Sequence, residues 1–237
     1  MKPIIGIVGR PHTTITEREA VCIFDDYRTA ISNSGGIPMI ILPTQNVKYE
    51  RVRPKDAPKL NESEKQDLIT QISLCDGLVF PGGNRMYEYD FFIGEYAIKN
   101  NINILGICMG MQLLACLDCD EKREDVLGKI ESKIEHNQLK TDYVHKVSID
   151  KNSKLYEILE KDIIDVNSRH KFYVTKTNKF KIVAKSEDGF IEAIENMDNS
   201  FKLGVQWHPE SMEEYDENMK KLIKYFVDEC KKSWQSR

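Results

Sequence analysis

No stretch of the 237-residue sequence approaches the ~20 consecutive apolar residues that a membrane-spanning helix requires. Neither sign of charge gathers in a block. The sequence holds 34 Lys and Arg against 38 Asp and Glu, a net charge of −4, with the basic residues dispersed as on solvated helix faces. Nothing in that distribution points to nucleic acid or to a membrane. The run from Met1 to Val8 is too short and too weakly apolar for an export signal and reads as a first strand, so a cytoplasmic location is expected. Repeats, low-complexity segments and linkers are also lacking, and one domain over residues 1–237 is expected.

Disulfides are not expected. The six cysteines are irregularly spaced and no export signal accompanies them. Cys22, Cys75 and Cys230 lie in apolar stretches and read as small core residues. Cys116 and Cys119 form one C-x-x-C with no second pair, and His136 and His145 are not at finger spacing. No metal and no cofactor is therefore expected.

What is present is the composition of a soluble globular protein, 41% apolar and 30% charged. The first two-thirds alternate strand and helix signals. Strands are expected at Ile4 to Val8, Ile37 to Leu42, Gly77 to Phe80 and up to Ile107. Helices are expected at Glu17 to Ser34, Asn61 to Leu74 and Glu88 to Lys99. The polar, proline-bearing stretch from Pro43 to Leu60 reads as a lid or binding loop. After Gly128 shorter strands follow at Val144 to Ile149, Ile182 to Lys185, Phe190 to Glu195 and Leu203 to Gln206, with a hairpin turn at Ser186 to Gly189. An amphipathic helix from Tyr215 to Lys232 ends the pattern. Repeated strand–helix units predict a mostly parallel sheet covered on both faces, with ligands bound beyond the carboxyl ends of the strands.

Two segments that carry chemistry fall at such ends. Gly106-Ile107-Cys108-Met109-Gly110 is the cysteine form of a nucleophile elbow, in which glycines flank a nucleophile on a tight strand-to-helix turn. A thiol at the first turn of a helix feels the positive end of the helix dipole, which favours the thiolate. Pro81-Gly82-Gly83 follows another strand and lets backbone approach a ligand closely. Downstream, Gln206-Trp207-His208-Pro209-Glu210 supplies a base and its orienter, since residues two apart in extended chain point to one side. Cys108, His208 and Glu210 are thus the candidate triad, with the N–H groups of Gly83 and Met109 as candidate oxyanion donors.

These segments resemble the class I glutamine amidotransferase motifs. Ile5-Gly6-Ile7, Tyr27-Arg28-Thr29-Ala30 through Gly35-Gly36-Ile37-Pro38, and Asp165-Val166-Asn167-Ser168-Arg169-His170 are more particular. They resemble the γ-glutamyl hydrolase branch, peptidase family C26, which includes γ-glutamyl-γ-aminobutyrate hydrolase. The resemblance implies a flavodoxin-like three-layer α/β/α fold and hydrolysis of a small γ-glutamyl amide through a glutamyl-thioester. It further implies that Gln112 helps bind the glutamyl group, and that Ser168, Arg169 and His170 lie beside its α-amino and α-carboxyl groups. The chain departs from the branch after His170 (Lys171-Phe172 in place of a second histidine and a glutamine) and after Gly83 (Asn84-Arg85 in place of an acidic residue). It departs again after the elbow helix, where Cys116 to Arg123 replaces a Gly-Gly pair and an amide-rich turn. The expected partner is a small γ-glutamyl substrate. A homodimer is compatible with the sequence. The alternative, a glutaminase subunit, would add a synthetase that takes up ammonia.

Overall fold

The computed structural model describes residues 1–45, 58–121 and 123–235. Its strands, in chain order, are β1 (Ile4–Val8), β2 (Arg10–Thr13), β3 (Glu19–Cys22), β4 (Ile37–Ile41), β5 (Gly77–Phe80), β6 (Asn103–Ile107), β7 (Leu127–Lys129), β8 (His145–Ile149), β9 (Ile163–Val166), β10 (Phe172–Val174), β11 (Lys181–Ser186), β12 (Ile191–Asn196) and β13 (Lys202–Val205). The helices are α1 (Asp25–Asn33), α2 (Glu62–Ser73), α3 (Glu88–Lys99), α4 (Met109–Cys119), α5 (Arg123–Val126), α6 (Lys154–Leu159) and α7 (Glu217–Gln235).

The central sheet runs β4-β1-β5-β6-β13-β12-β11-β8-β9. The five strands from β4 to β13 are parallel, and from β12 onward the sheet continues antiparallel. Burial follows that division. Every residue of β5, β6 and β13 is buried, as expected of strands covered on both faces. In β8 and β9 buried and exposed residues alternate, because the antiparallel arm is covered on one face. One buried cluster joins the sheet to α1, α6 and α7, and a second joins its other face to α2, α3 and α4. This is the expected flavodoxin-like α/β/α arrangement. Among the described residues, no helix is long and apolar enough to cross a membrane.

The helix expected at Glu17 to Ser34 forms only in its second half, and its first part belongs to a hairpin. Arg10–Thr13 pairs antiparallel with Glu19–Cys22, and the helix starts only at Asp25. Glu17 takes a left-handed φ of 59°, and the turn closes through Thr14 and Arg18, whose backbones bond at 2.9 Å. Val21 favours the strand through its β-branch, while Asp25 and Asp26 suit the first turn of a helix. Cys22 is consequently exposed on β3 and is not a core residue, whereas Cys75 and Cys230 are buried as expected. Most of the loop expected between Pro43 and Leu60 lies outside the described residues.

Candidate active site

The carboxyl ends of β5, β6 and β13 meet at one edge of the sheet, and the candidate residues gather there. Cys108 links β6 to α4 with φ 53° and ψ −105°, a conformation that costs a non-glycine residue about 1–3 kcal/mol. Its N–H donates to the Val205 carbonyl at 2.8 Å, and its own carbonyl accepts from the Gln112 N–H at 3.2 Å. The flanking glycines are there for space. A Cβ on Gly106 would stand 2.7 Å from the Gly110 carbonyl oxygen, and one on Gly110 would stand 2.1 Å from that of Phe80. Backbone atoms cannot yield as side chains do, so the tight elbow needs glycine at both positions.

His208 lies just beyond β13, with its Nδ1 2.7 Å from Glu210 Oε1. The two residues do not share an extended strand, as the spacing suggested. Pro209 begins a 3-10 turn over Pro209–Ser211, and that turn brings the carboxylate back beneath the ring. Burial lowers the His208 pKa, but the charges and hydrogen bonds of Glu210 and Cys108 outweigh it and raise it to about 10. The ring beside the thiol is therefore an imidazolium at neutral pH. Trp207, the residue before His208, is fully buried, and its Nε1–H donates to Met219 Sδ at 3.1 Å.

Two further residues hold this geometry; both lie in segments that carry the family resemblance, but neither has a role assigned from the sequence. Asn167, buried just past β9, donates from its side-chain amide to the His208 carbonyl at 2.9 Å and accepts from the His208 N–H at 2.8 Å. The Tyr27 hydroxyl, on α1, accepts from the Gly82 N–H at 2.9 Å. Burial first, then the Glu210 charge, holds its phenol well above its ordinary pKa. A Cβ on Gly82 would stand 2.7 Å from His208 Cε1, so the glycine loop rests directly on the ring. That loop is braced from outside by Arg10, whose guanidinium pairs with the buried Asp90 at 2.5 Å and reaches the Pro81 carbonyl at 3.4 Å.

Gly83 lies against the Met109 side chain, where a Cβ would stand 3.1 Å from the Met109 Cε. Met109 is the first residue of α4, where a helical N–H has no intrahelical acceptor. A cleft of about 520 Å³ opens beside the loop, lined by Arg10, His12, Phe24, Gly82, Gly83 and Arg85.

The other expected binding residues are placed less simply. Gln112 is buried, its amide donating to the Phe172 carbonyl at 3.1 Å and to Gln206 Oε1 at 3.2 Å. Ser168 and His170 turn inward, Ser168 Oγ lying 3.1 Å from His136 Nδ1 and His170 Nε2 3.6 Å from Glu192 Oε1. Arg169 reaches Ser211 Oγ at 2.9 Å, beside the 3-10 turn that carries Glu210.

A strained thiol elbow, a His208–Glu210 pair and a glycine loop thus meet at the carboxyl end of the parallel sheet. The Peptidase C26 family profile matches residues 85–210. A candidate glutamine amidotransferase of Schizosaccharomyces pombe is 34% identical, over 86% of this chain and 81% of its own. A candidate glutamine amidotransferase-like protein of Rickettsia prowazekii is 28% identical, over 88% of this chain and 91% of its own. In fold, the chain is similar to the glutaminase domain of Trypanosoma brucei CTPS, solved with bound acivicin. That likeness has a TM-score of 0.64 and 18% identity, and covers 97% of this chain and 94% of that one. The chain belongs to the peptidase C26 family of glutamine amidotransferase-like hydrolases.

Proposed function

We propose that the protein hydrolyses the γ-glutamyl amide bond of a small molecule, releasing glutamate and an amine. In this reading Cys108 Sγ attacks the γ-carbonyl, and the N–H groups of Met109 and Gly83 take the oxyanion. His208 protonates the departing amine, with Glu210 fixing its tautomer and stabilising the imidazolium. The product is a glutamyl-thioester. Water, deprotonated by the now neutral His208, attacks the thioester carbonyl, and glutamate leaves as the thiolate re-forms. Arg169 is the member of the 168–170 segment best suited to a substrate carboxylate, because a guanidinium can bind one with two hydrogen bonds. Gln112 is assigned to the glutamyl side, where its ties to Phe172 and Gln206 would fix the pocket wall.

The observation that carries this reading is geometric: His208, with Glu210 at 2.7 Å, shares the neighbourhood of Gly82 with Cys108 at its strained elbow. The cleft of about 520 Å³ adjoins Gly82, where a Cβ would stand 3.5 Å from that of Cys108, and in this reading it takes the amine side of the substrate. The second reading, a glutaminase subunit feeding a synthetase, is favoured by the likeness to the T. brucei glutaminase domain. Both readings use the same thioester. Their common chemistry is tested by treating the purified chain with a chloroketone analogue of glutamine and reading intact mass. One adduct is expected on the wild type and none on Cys108→Ala. An adduct that persists in Cys108→Ala would remove the thiol from the reaction.

A further inference from the structure

Four buried side chains that the proposed reaction does not use converge beside the site. They are His136, from the segment after β7; His145, the first residue of β8; His170, between β9 and β10; and Glu192, on β12. Their exposures are 2%, 4%, 4% and 0%, and one nitrogen or carboxylate oxygen from each lies within 4.8 Å of all the others. His136 and His145 are not at finger spacing, but that spacing tests only ligands that are neighbours along the chain. Here the ligands come from four separate segments.

The hydrogen bonds around the cluster fix what faces inward. His145 Nδ1 lies 3.3 Å from the Lys146 carbonyl, and His170 Nδ1 lies 3.0 Å from that of Phe172. A carbonyl only accepts, so in each neutral ring the proton sits on Nδ1 and Nε2 presents a bare lone pair. Both Nε2 atoms and both Glu192 oxygens lack a hydrogen-bond partner among the described residues. Lone pairs therefore face lone pairs in a dry interior, an arrangement that costs free energy unless a cation sits among them. Glu192 Oε1 stands 3.8 Å from His145 Nε2 and 3.6 Å from His170 Nε2. Those spacings are too long for a shared proton. They are close to the edge of about 3.3 Å expected of a tetrahedron whose metal–ligand bonds are about 2.0–2.1 Å. The third ring is already oriented. His136 Nε2 lies 2.9 Å from Asp188 Oδ2, and Asp188 is itself held by the hydroxyls of Ser132 and Ser186. Carbonyls and carboxylates behind imidazoles are the outer partners that metal-binding histidines use.

We propose that His136, His145, His170 and Glu192 form a structural divalent-metal site, with zinc as the ion their three imidazoles and one carboxylate suit best. Four protein ligands fill a tetrahedral shell and leave no open position, so the metal braces the fold and takes no part in the reaction. It ties the segments around His136 and His170 to β8 and β12. The second of those segments also carries Asn167, which holds His208.

The test is metal analysis of the full chain, stripped with chelator and reloaded with zinc, read by elemental analysis and thermal unfolding. About one zinc per chain and a higher Tm than the stripped protein are expected. Cobalt loading should give the intense visible bands of a tetrahedral ion. His145→Gln and Glu192→Gln should each lose the bound zinc, whereas Cys108→Ala and Cys119→Ser should keep it. Should one variant fail to fold, the wild-type stoichiometry and cobalt spectrum still decide. Less than about a tenth of an equivalent on the wild type, or zinc undiminished in a folded His145→Gln or Glu192→Gln protein, would overturn the site.

Discussion

Asn167 grips the backbone of His208 on both its polar groups, donating to the carbonyl at 2.9 Å and accepting from the N–H at 2.8 Å. The ring's position above the thiol is thus set by a residue 41 positions away in sequence. Asn167→Ala would free both groups and let the ring shift. A misplacement of about 1 Å costs on the order of 10²-fold in rate. A fall in kcat of that order is expected in steady-state kinetics, with KM little changed. Unchanged kcat in a folded Asn167→Ala protein would contradict the clamp.

The His208 imidazole titrates near 10, above the ordinary histidine value of 6.5. A raised pKa means that protonation favours the folded state. That contribution is complete below about 6.5 and lost as pH rises through about 10. The acid that protonates the leaving amine is lost over the same range, so kcat/KM should fall on an alkaline limb near 10. Because ring and thiol interact, that limb reports the pair. Glu210→Gln removes the largest influence that raises the ring, so its limb should move towards neutral pH. A pH profile with the same limb in Glu210→Gln would separate Glu210 from the ring's titration.

Gly82 has no room for a side chain, since a Cβ there would stand 2.7 Å from His208 Cε1. Gly82→Ala should therefore displace the ring or the loop and lower kcat by roughly 10²-fold. Gly35 is the comparison, because nothing lies within 4 Å of a Cβ there, although its φ of 89° makes alanine strained. Gly35→Ala should cost stability and spare kcat, whereas Gly82→Ala should lower kcat. Kinetics and thermal unfolding on the two variants distinguish these outcomes.

Much of this architecture can be read from residues alone. Gly77–Phe80 and Glu88–Lys99 form where the sequence places them, because a strand buried on both faces is a continuous apolar run and a helix keeps its spacing. The elbow at Cys108 is legible because it needs its glycines at fixed positions. The hairpin at Arg10–Cys22 was hidden because its strands are short and its turn depends on the left-handed Glu17. The approach of Glu210 to His208 depends on a 3-10 turn that Pro209 starts, which spacing alone did not reveal. Asn167 acts only because the segment that follows β9 reaches the one that follows β13, a contact between strands four places apart in the sheet. A faint signal for the histidine cluster did exist. In His145–Ile149 the histidine occupies the same inward register as Val147 and Ile149, an unusual place for a polar ring.

Glutamate release by the purified chain alone tests the central claim most directly. A panel of γ-glutamyl amides with different amines, and glutamine beside them, is incubated with wild type and with Cys108→Ala. At least one amide should yield glutamate faster than glutamine does, and Cys108→Ala should be slower by at least about 10⁴-fold, as expected when a nucleophile is removed. Activity confined to glutamine, or glutamate release undiminished in Cys108→Ala, would contradict it.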